Sequence, residues 1–314
     1  GKGSDLVGYV TLKIIRAIAT LWLVVTFVFV ILRLSGDPAI VLLPMDLPTS
    51  IADVYRQRWG TDLPLWEQYI RYMSSLLQGD FGVSFFDHRP AIDLVIERLP
   101  KTLQLGLVAY GGATVLALTL GVIAALYRDT LIDRLVMILA VFGYSMPNFF
   151  LGLLLIIFFS LQLRWLPPSG SGTLAHMVMP AVALGLAVSA QIARFTRSSI
   201  LEVLGQSYIR TARAKGASWW RRIRWHALPN AAIPLVTVLG FNFGLMIAGT
   251  IVIETVFAWP GMGHLFYQAV GVSDFAVVQT VLLLIAASVI LVNLFVDLLY
   301  AALDPRVRLR GGDV

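Results

Sequence analysis

The side chains best arranged for recognition chemistry form a short basic run in the second half of the chain. Arg210, Arg213 and Lys215 lie within Tyr208-Ile-Arg-Thr-Ala-Arg-Ala-Lys-Gly216, between two strongly apolar stretches. Their charged groups are suited to pairing with carboxylates on another surface, and the alanines between them allow that surface to approach closely. A basic amphipathic segment between two apolar spans cannot belong to a core, so it lies on a membrane face or inserts into a partner.

The basic run is predicted to end a helix. The pattern from Glu202 to Ala214 is typical of a helix, and Gly216 ends it because glycine accepts a left-handed backbone without penalty. The residues from 219 to 225 interleave three tryptophans with three arginines and are expected at the membrane surface. Each basic residue there contributes about 1 kcal/mol of attraction to anionic lipid. Attraction to anionic lipid is also the alternative explanation for the basic run from Tyr208 to Gly216.

Residue sets that would support catalysis are not found. Gly1-Lys-Gly-Ser4 superficially resembles a phosphate-binding loop, but its glycine spacing is wrong. The histidines at His88, His176, His226 and His264 lack metal-ligand spacing, and the sequence has no cysteine. The apolar spans also lack the Ser and His, or paired Asp, of an intramembrane protease. The chain is therefore expected to bind no metal or cofactor and to hydrolyse no ATP by itself.

A few polar side chains interrupt the apolar stretches and are candidates for a translocation pathway. Amide and ionisable groups within a membrane span usually face a cavity or a partner rather than lipid. The candidates are Asn148, Gln191, Asn242, Glu254 and Asn293. Glu254 falls near one end of its span, so a boundary charge is the alternative.

Membrane-spanning helices must position these residues. With 58% hydrophobic and 13% charged residues, the 314-residue chain has too little polar surface for a soluble globule. A bilayer core of about 30 Å requires about 20 apolar residues per helix. Six stretches qualify: Leu12 to Leu34, Leu103 to Leu126, Leu135 to Leu163, Met177 to Ala193, Ala231 to Phe257 and Ala276 to Leu303. The sequence therefore predicts an all-α polytopic membrane protein with six transmembrane helices.

The distribution of basic residues predicts the orientation. Eight of them lie from Arg194 to Arg224, whereas the short loop from Ala258 to Phe275 has none. Since cytoplasmic loops retain positive charge, both termini are expected in the cytoplasm. The predicted parts are residues 1–34 with the first span, an extracytoplasmic segment at 35–100, a transmembrane core at 101–303 with a cytoplasmic loop at 194–230, and a cytoplasmic tail at 304–314. This asymmetry accounts for the net charge of +6, so nucleic-acid binding is not expected.

Two local features complete the prediction. Short helices are expected from Ser50 to Trp59 and from Leu65 to Leu77, forming either a docking surface or a cap that packs on the spans. Pro147 should kink the third span and Pro180 should open the fourth. Gly185, Gly240 and other small residues are spaced for close helix packing in lipid.

Nine short motifs occur in order along nearly the whole chain. They are Gly36-Asp-Pro, Gly79-Asp-Phe-Gly-Val-Ser84, Arg89-Pro90, Leu99-Pro100, Ser145-Met-Pro-Asn-Phe149, Trp165-Leu-Pro167, Thr211-Ala-Arg-Ala-Lys-Gly216, Phe257-Ala-Trp-Pro-Gly-Met-Gly263, and Val296-Asp-Leu-Leu-Tyr300 with Asp304-Pro-Arg306. In this order they resemble the membrane subunit of a bacterial binding-protein-dependent ABC importer, in the dipeptide, oligopeptide and nickel permease family.

The resemblance implies a type I ABC importer permease fold with a cytoplasmic coupling helix, in the bacterial inner membrane. It also implies the partners: a homologous second permease, two cytoplasmic ATPase subunits that bind ATP and magnesium, and an extracytoplasmic substrate-binding protein. This chain would be the non-catalytic subunit that forms half of the pathway through the lipid bilayer.

The resemblance also implies which residues couple to the ATPase. The family's signature loop reads Glu-Ala-Ala, three residues, Gly, nine residues, then Ile-x-Leu-Pro. The matching positions are Ala212, Gly216, Leu228 and Pro229, whereas Arg210 and His226 depart from the pattern. The implied coupling residues are Tyr208, Arg210, Thr211, Ala212, Arg213, Ala214, Lys215 and Gly216.

Short peptides are the expected cargo, with nickel chelates, glutathione or another small solute as the alternatives on the same architecture. A stand-alone secondary transporter would require an inverted repeat or several buried charges, and neither is apparent in the sequence. A purely structural membrane anchor would leave the basic loop and the segment at 35–100 unexplained.

Overall fold

The structure of the chain is a computed structural model that describes residues 2–36 and 49–303. The tail predicted at 304–314 and most of the Gly36-Asp-Pro motif lie outside the described residues. The helices of the first half are α1 Lys2–Leu34, α2 Thr49–Trp59, α3 Leu65–Leu77, α4 Ala91–Leu126, α5 Leu131–Ser145 and α6 Asn148–Leu155, the last continued by π-helical turns over Ile156–Gln162. Those of the second half are α7 Ala175–Leu204, α8 Ser207–Ala214, α9 Trp219–Arg222, α10 Leu228–Val256, α11 Met262–Gly271 and α12 Phe275–Leu303, with π-helical turns over Ile223–Ala227 between α9 and α10.

The described helices include single helices long enough to span a bilayer and pairs of bent helices that could span it together. Four are each long and apolar enough to cross a bilayer: α1 over Val10–Leu34, α4, α7, and α12 over Phe275–Val296. Two bent pairs pass the same test together, α5 with the α6 segment, and Trp219–Ala232 with Pro234–Gly244. The described part of the chain thus has four spans, or up to six if each bent pair is one span, and the all-α fold class is confirmed.

The stretch predicted as the third span is divided into two helices at Pro147 rather than kinked. α5 and the α6 segment meet at 102°, with Met146 in an extended conformation between them. Proline disfavours helical backbone in the residue before it and lacks the N–H that would continue the ladder, so a new helix starts at Asn148. Pro180 also differs from its prediction, since α7 begins at Ala175 and includes Pro180.

Small residues allow the long helices to approach closely. A Cβ on Gly121 of α4 would lie 2.6 Å from Cβ of Thr196 on α7, and one on Gly185 of α7 would lie 3.0 Å from the Ala109 carbonyl oxygen. A Cβ on Gly240 of α10 would lie 2.2 Å from a methyl carbon of Val296 on α12. In lipid, such close packing is a main source of helix association, because burial from water contributes little there.

The bundle has two ends with separate apolar clusters. Ala125, Ile200 and Ala231 pack together at the end from which α8 follows, which we call the α8 end. At the other end, one cluster joins Leu105 and Phe257 near the start of α7, and another joins Ala91 and Val277 at the starts of α4 and α12. We call this the opposite end. α4 and α7 run in the same direction between the ends, and α10 runs back.

Candidate functional site

α8 is an amphipathic helix that exposes its charge. Ile209 is 4% exposed and is the buried residue of this helix, whereas Arg210, Arg213 and Lys215 are all exposed. Within the described residues none of these three basic groups forms an ion pair. The helix is therefore held to the rest of the chain on one face and presents unneutralised cations on the other.

The end of α8 is a Schellman motif at Gly216. The Gly216 N–H donates to the Arg213 carbonyl at 3.0 Å, and the Ala217 N–H donates to the Ala212 carbonyl at 3.0 Å. Gly216 has a φ of +77°, the left-handed conformation that this motif requires. The predicted helix end is thus found at the predicted glycine, and its carbonyls are satisfied within the chain.

The start of α8 differs from the prediction of one helix from Glu202 to Ala214. α7 ends at Leu204, and Gln206 has an extended backbone with a ψ of 152° before α8 begins at Ser207. Gly205 is a weak helix former and closes α7 with its N–H donating to the Leu201 and Glu202 carbonyls at 3.2 Å. The first residues assigned to the loop at 194–230 therefore continue α7, and α8 is a separate helix after a two-residue joint.

The second half of the loop exposes its aromatic residues. Trp219, Trp220 and Trp225 are all more than half exposed, whereas Ile223 and Ala227 are buried against the bundle. The Arg224 guanidinium carbon lies 5.7 Å from the Trp225 ring centroid, a cation–π distance. Exposed aromatic side chains close to basic ones are typical of a surface that meets lipid headgroups.

An ion pair not anticipated from the sequence joins α5 to α7 near the α8 end. Asp133 is buried, and its carboxylate accepts from Arg197 Nε at 2.6 Å and from Nη2 at 2.7 Å. The Asp129 backbone N–H donates to the same carboxylate at 3.0 Å. The only sequence signal was an acidic residue at the start of an apolar stretch, because the partner lies 64 positions away.

The structure does not bring the five pathway candidates into one cluster. Gln191 on α7 and Asn293 on α12 are exposed, and Asn148 is half-buried at the start of α6. Asn242 is buried in α10, where its amide donates to the Val238 carbonyl of the same helix at 2.8 Å. Glu254 is fully buried at the opposite end. Only Gln191, Asn293 and Asn148 therefore have polar groups available to another chain. The pathway assignments stay predictions.

Glu254 caps α11 from the side. Its carboxylate Oε2 accepts the N–H groups of Gly263 at 2.6 Å and His264 at 3.2 Å, in the first turn of that helix. These N–H groups have no partner within the helix, and the positive end of the helix dipole favours a carboxylate there. Two further contacts hold the same segment to α4: Met262 N–H donates to Thr102 Oγ1 at 2.7 Å, and the Trp259 indole donates to the Lys101 carbonyl at 2.9 Å.

This cap accounts for the glycines of Phe257-Ala-Trp-Pro-Gly-Met-Gly263. A Cβ on Gly261 would lie 2.4 Å from the Glu254 carboxyl carbon, and one on Gly263 would lie 2.4 Å from the Ile251 Cα. Real Cβ atoms essentially never approach other atoms so closely. The motif is therefore explained by close packing of a loop onto a buried carboxylate.

A second contact closes the opposite end. The Ser84 hydroxyl donates to the buried carboxylate of Asp274, and the Asp87 N–H donates to Ser84 Oγ at 2.9 Å. The Thr280 hydroxyl lies 3.4 Å from the Phe81 carbonyl oxygen. The Gly79-to-Ser84 motif thus attaches the segment before α4 to the start of α12.

The sequence is similar to a known transport family and to named relatives. Residues 117–309 match the family described as Binding-protein-dependent transport system inner membrane component. Over 304 residues the chain is 42% identical to the glutathione transport system permease protein GsiC of Escherichia coli strain K12, covering 96% of this chain and 99% of that protein. GsiC of Shigella flexneri serotype 5b is 41% identical over 304 residues, with the same coverage of 96% and 99%.

The fold is similar to solved transporter structures. The MetNI methionine ABC transporter, in an inward-facing conformation, matches with a TM-score of 0.58 at 23% identity, covering 68% of this chain and 97% of that chain. An amino acid ABC transporter crystallised with histidines matches with a TM-score of 0.52 at 20% identity, covering 68% and 94%. At these identities the likeness concerns the fold alone.

Proposed function

Because the chain belongs to the family of binding-protein-dependent transport system inner membrane components and is an ABC importer permease, we propose that α8 is the helix through which it couples to ATPase subunits. The supporting observation is the geometry of α8, anchored by Ile209 and capped at Gly216, with three unneutralised basic residues exposed. Such a face fits an acidic groove on a partner. The residues proposed for coupling are Tyr208, Arg210, Thr211, Ala212, Arg213, Ala214, Lys215 and Gly216.

We propose the following assembly around this subunit. Two cytoplasmic ATPase subunits bind ATP and magnesium, and the α8 end of the bundle faces them. A homologous second permease completes the pathway, and a substrate-binding protein docks at the opposite end. The exposed amides of Gln191 on α7 and Asn293 on α12 support contact with a second permease or with an aqueous pathway, because an amide facing hydrocarbon is costly.

We propose short peptides as the substrate class, with glutathione as the specific member to test first. Glutathione is itself a tripeptide, and relatives at 42% identity are named for its transport. Nickel chelates and other small solutes remain the alternative cargo of the same architecture. Competition of labelled glutathione uptake by unlabelled tripeptides in reconstituted vesicles distinguishes a glutathione importer from a general peptide importer.

The coupling assignment is tested by reversing charge on α8. Replacing both Arg210 and Arg213 with glutamate should reduce substrate-stimulated ATP hydrolysis about tenfold or more in vesicles containing the full transporter, because both charges would then repel an acidic groove. Neither guanidinium forms an ion pair within the described residues, so the permease itself should fold and insert normally.

Arg134→Glu is the matched control, since Arg134 is also exposed at the α8 end but lies on α5. It should leave ATP hydrolysis within about twofold of the wild type, as expected for an exposed charge outside the interface. Equal loss of activity in the control and the α8 variant, or full activity in the α8 variant, contradicts the assignment.

A further inference from the structure

A cavity of about 720 Å³ lies at the opposite end of the bundle, away from α8. It is a half-open cavity lined by the end of α1, by α2 and α3, by the segment before α4 and by the start of α12. Its lining includes Arg33, Gln68, Tyr72, Phe85, Phe275 and Gln279. The volume is within the range of small-molecule sites, about 300–1,000 Å³.

Arg33 is held rigidly in the wall of this cavity. Its guanidinium carbon lies 5.0 Å from the Phe29 ring centroid and 4.9 Å from that of Phe275, so the cation lies between two aromatic rings. Its Nε donates to Gln68 Oε1 at 2.6 Å. The Gln68 amide nitrogen in turn donates to the Leu63 carbonyl at 2.7 Å, which fixes the Gln68 oxygen toward Arg33. The guanidinium is therefore oriented by its neighbours before any ligand arrives.

Two buried donors in this cavity lack acceptors. Arg33 Nη1 and Gln279 Nε2 are buried, and neither has a hydrogen-bond partner among residues 2–36 and 49–303. Gln279 is 6% exposed and lies one helical turn after Phe275 on α12, so it shares a helix face with the ring that contacts Arg33. Leaving such donors unpaired is costly, and since both residues line the same cavity, this indicates that an acceptor binds there.

The charges around the cavity favour an anion as that acceptor. Arg71 is paired with Glu67 at 2.7 Å, and the exposed Asp80 accepts the Gly82 N–H at 2.9 Å. Arg33 forms no ion pair with any described residue. Burial raises the pKa of Tyr72 well above its usual range, so its hydroxyl stays protonated beside the cation. A neutral ligand would leave the Arg33 charge uncompensated.

We propose that this cavity binds the carboxylate group of a small organic acid or peptide, with Arg33 Nη1 and Gln279 Nε2 as the two donors. A carboxylate offers two acceptor oxygens and one negative charge, and guanidinium–carboxylate pairs are among the strongest hydrogen-bonded contacts in proteins. The aromatic side chains of Phe85 and Phe275 supply an apolar wall for the rest of the ligand. The site is separate from α8, so it does not depend on the proposed coupling function.

The test uses the assembled transporter in lipid nanodiscs, without the binding protein, and two probes of nearly the same shape, one anionic and one neutral. N-Benzoylglycine carries a carboxylate and an aromatic ring, and N-benzoylglycinamide replaces the carboxylate with a neutral amide. Isothermal titration should show saturable binding of the acid and about tenfold weaker binding of the amide, as expected for a charge-assisted contact. Equal affinity for both probes, or no saturable binding of the acid at millimolar concentration, overturns the proposal.

Variants of Gln279 assign the binding to this cavity. Gln279→Glu places a carboxylate next to Arg33 and should lower the affinity for the acid about tenfold or more, while keeping the melting temperature at or above that of the wild type. Gln279→Leu removes the donor without adding charge and should weaken binding by a smaller factor. Gln78→Glu makes the same change at an exposed glutamine at the end of α3, outside the cavity lining, and is the control that should bind the acid within about twofold of the wild type. Wild-type affinity in the Gln279→Glu protein overturns the assignment.

Discussion

At the scale of single residues, Glu254 shows how a buried carboxyl group is held at the opposite end. A carboxylate removed from water loses a large hydration free energy unless donors replace the water. The N–H groups of Gly263 and His264 are such donors, and they belong to the first turn of α11, where the helix dipole also favours negative charge. Glu254 thereby fixes where α11 begins.

Gly263→Ala tests this packing. The new Cβ would lie 2.4 Å from the Ile251 Cα, a backbone atom that cannot move aside cheaply, so the substitution should destabilise the permease by about 1–3 kcal/mol. The midpoint of thermal unfolding in detergent, followed by tryptophan fluorescence, measures the change.

Gly271→Ala is the control for that experiment, because it lies at the other end of α11 and its Cβ would have no atom within 4 Å. It should change the unfolding free energy by less than about 0.5 kcal/mol. If the Gly263→Ala and Gly271→Ala proteins had the same melting temperature, the first turn of α11 would not be closely packed on α10.

Glu254 also illustrates what the sequence could predict about single residues. An ionisable residue within a span is conspicuous, and the sequence therefore identified Glu254 as a candidate. Its hydrogen-bond partners are backbone groups nine and ten positions away, across a turn whose shape depends on close packing. Arg33 has no comparable signal in the sequence, because its aromatic neighbour Phe275 and the amide of Gln68 lie far along the chain.

At the scale of helices, the sequence predicts those boundaries that depend on local signals, and it does not predict features that depend on long-range contacts. The end of α8 at Gly216 depends on one glycine and the carbonyls just before it, so the sequence sufficed. The break at Gly205 was missed because an isolated glycine within a helical pattern is often tolerated. The 102° bend at Pro147 exceeded the predicted kink, since the direction of α6 is set by packing against other helices as well as by proline.

The Asp133–Arg197 pair makes a prediction about how α5 is held to α7. Asp133→Asn or Arg197→Gln alone should lower the unfolding free energy by about 2 kcal/mol, because each leaves the partner charge without its main contact. The double variant should lose less than the sum of the two single losses, since no unpaired charge remains.

Thermal unfolding of the four proteins in detergent provides the thermodynamic cycle. Arg134→Gln, next to Asp133 but exposed, serves as the surface control and should be close to the wild type. Strictly additive losses in the double variant would mean that the two side chains do not interact in the membrane-embedded protein.

At the scale of the whole molecule, the distribution of basic residues predicts that the α8 end faces the cytoplasm. The chain has no cysteine, so a single introduced thiol reports its own location without background. Gln78 at the end of α3 and Arg134 on α5 are both exposed and lie toward the two ends of the bundle.

In intact cells, a membrane-impermeant maleimide should label a Gln78→Cys protein but label an Arg134→Cys protein only after permeabilisation. This follows if positive charge is retained on the cytoplasmic side during insertion. The reverse pattern of labelling would invert the orientation and would place α8 away from any cytoplasmic ATPase.

The contacts that close the opposite end also constrain the order of biogenesis. Ser84 is joined to Asp274 across 190 positions, Lys101 to Trp259 across 158, and Thr102 to Met262 across 160. During synthesis the segment before α4 and the start of α4 therefore remain without these partners until most of the remaining chain has been made and inserted. A nascent chain that stops before Asp274 would be inserted but would lack the contact that attaches the segment before α4 to the start of α12.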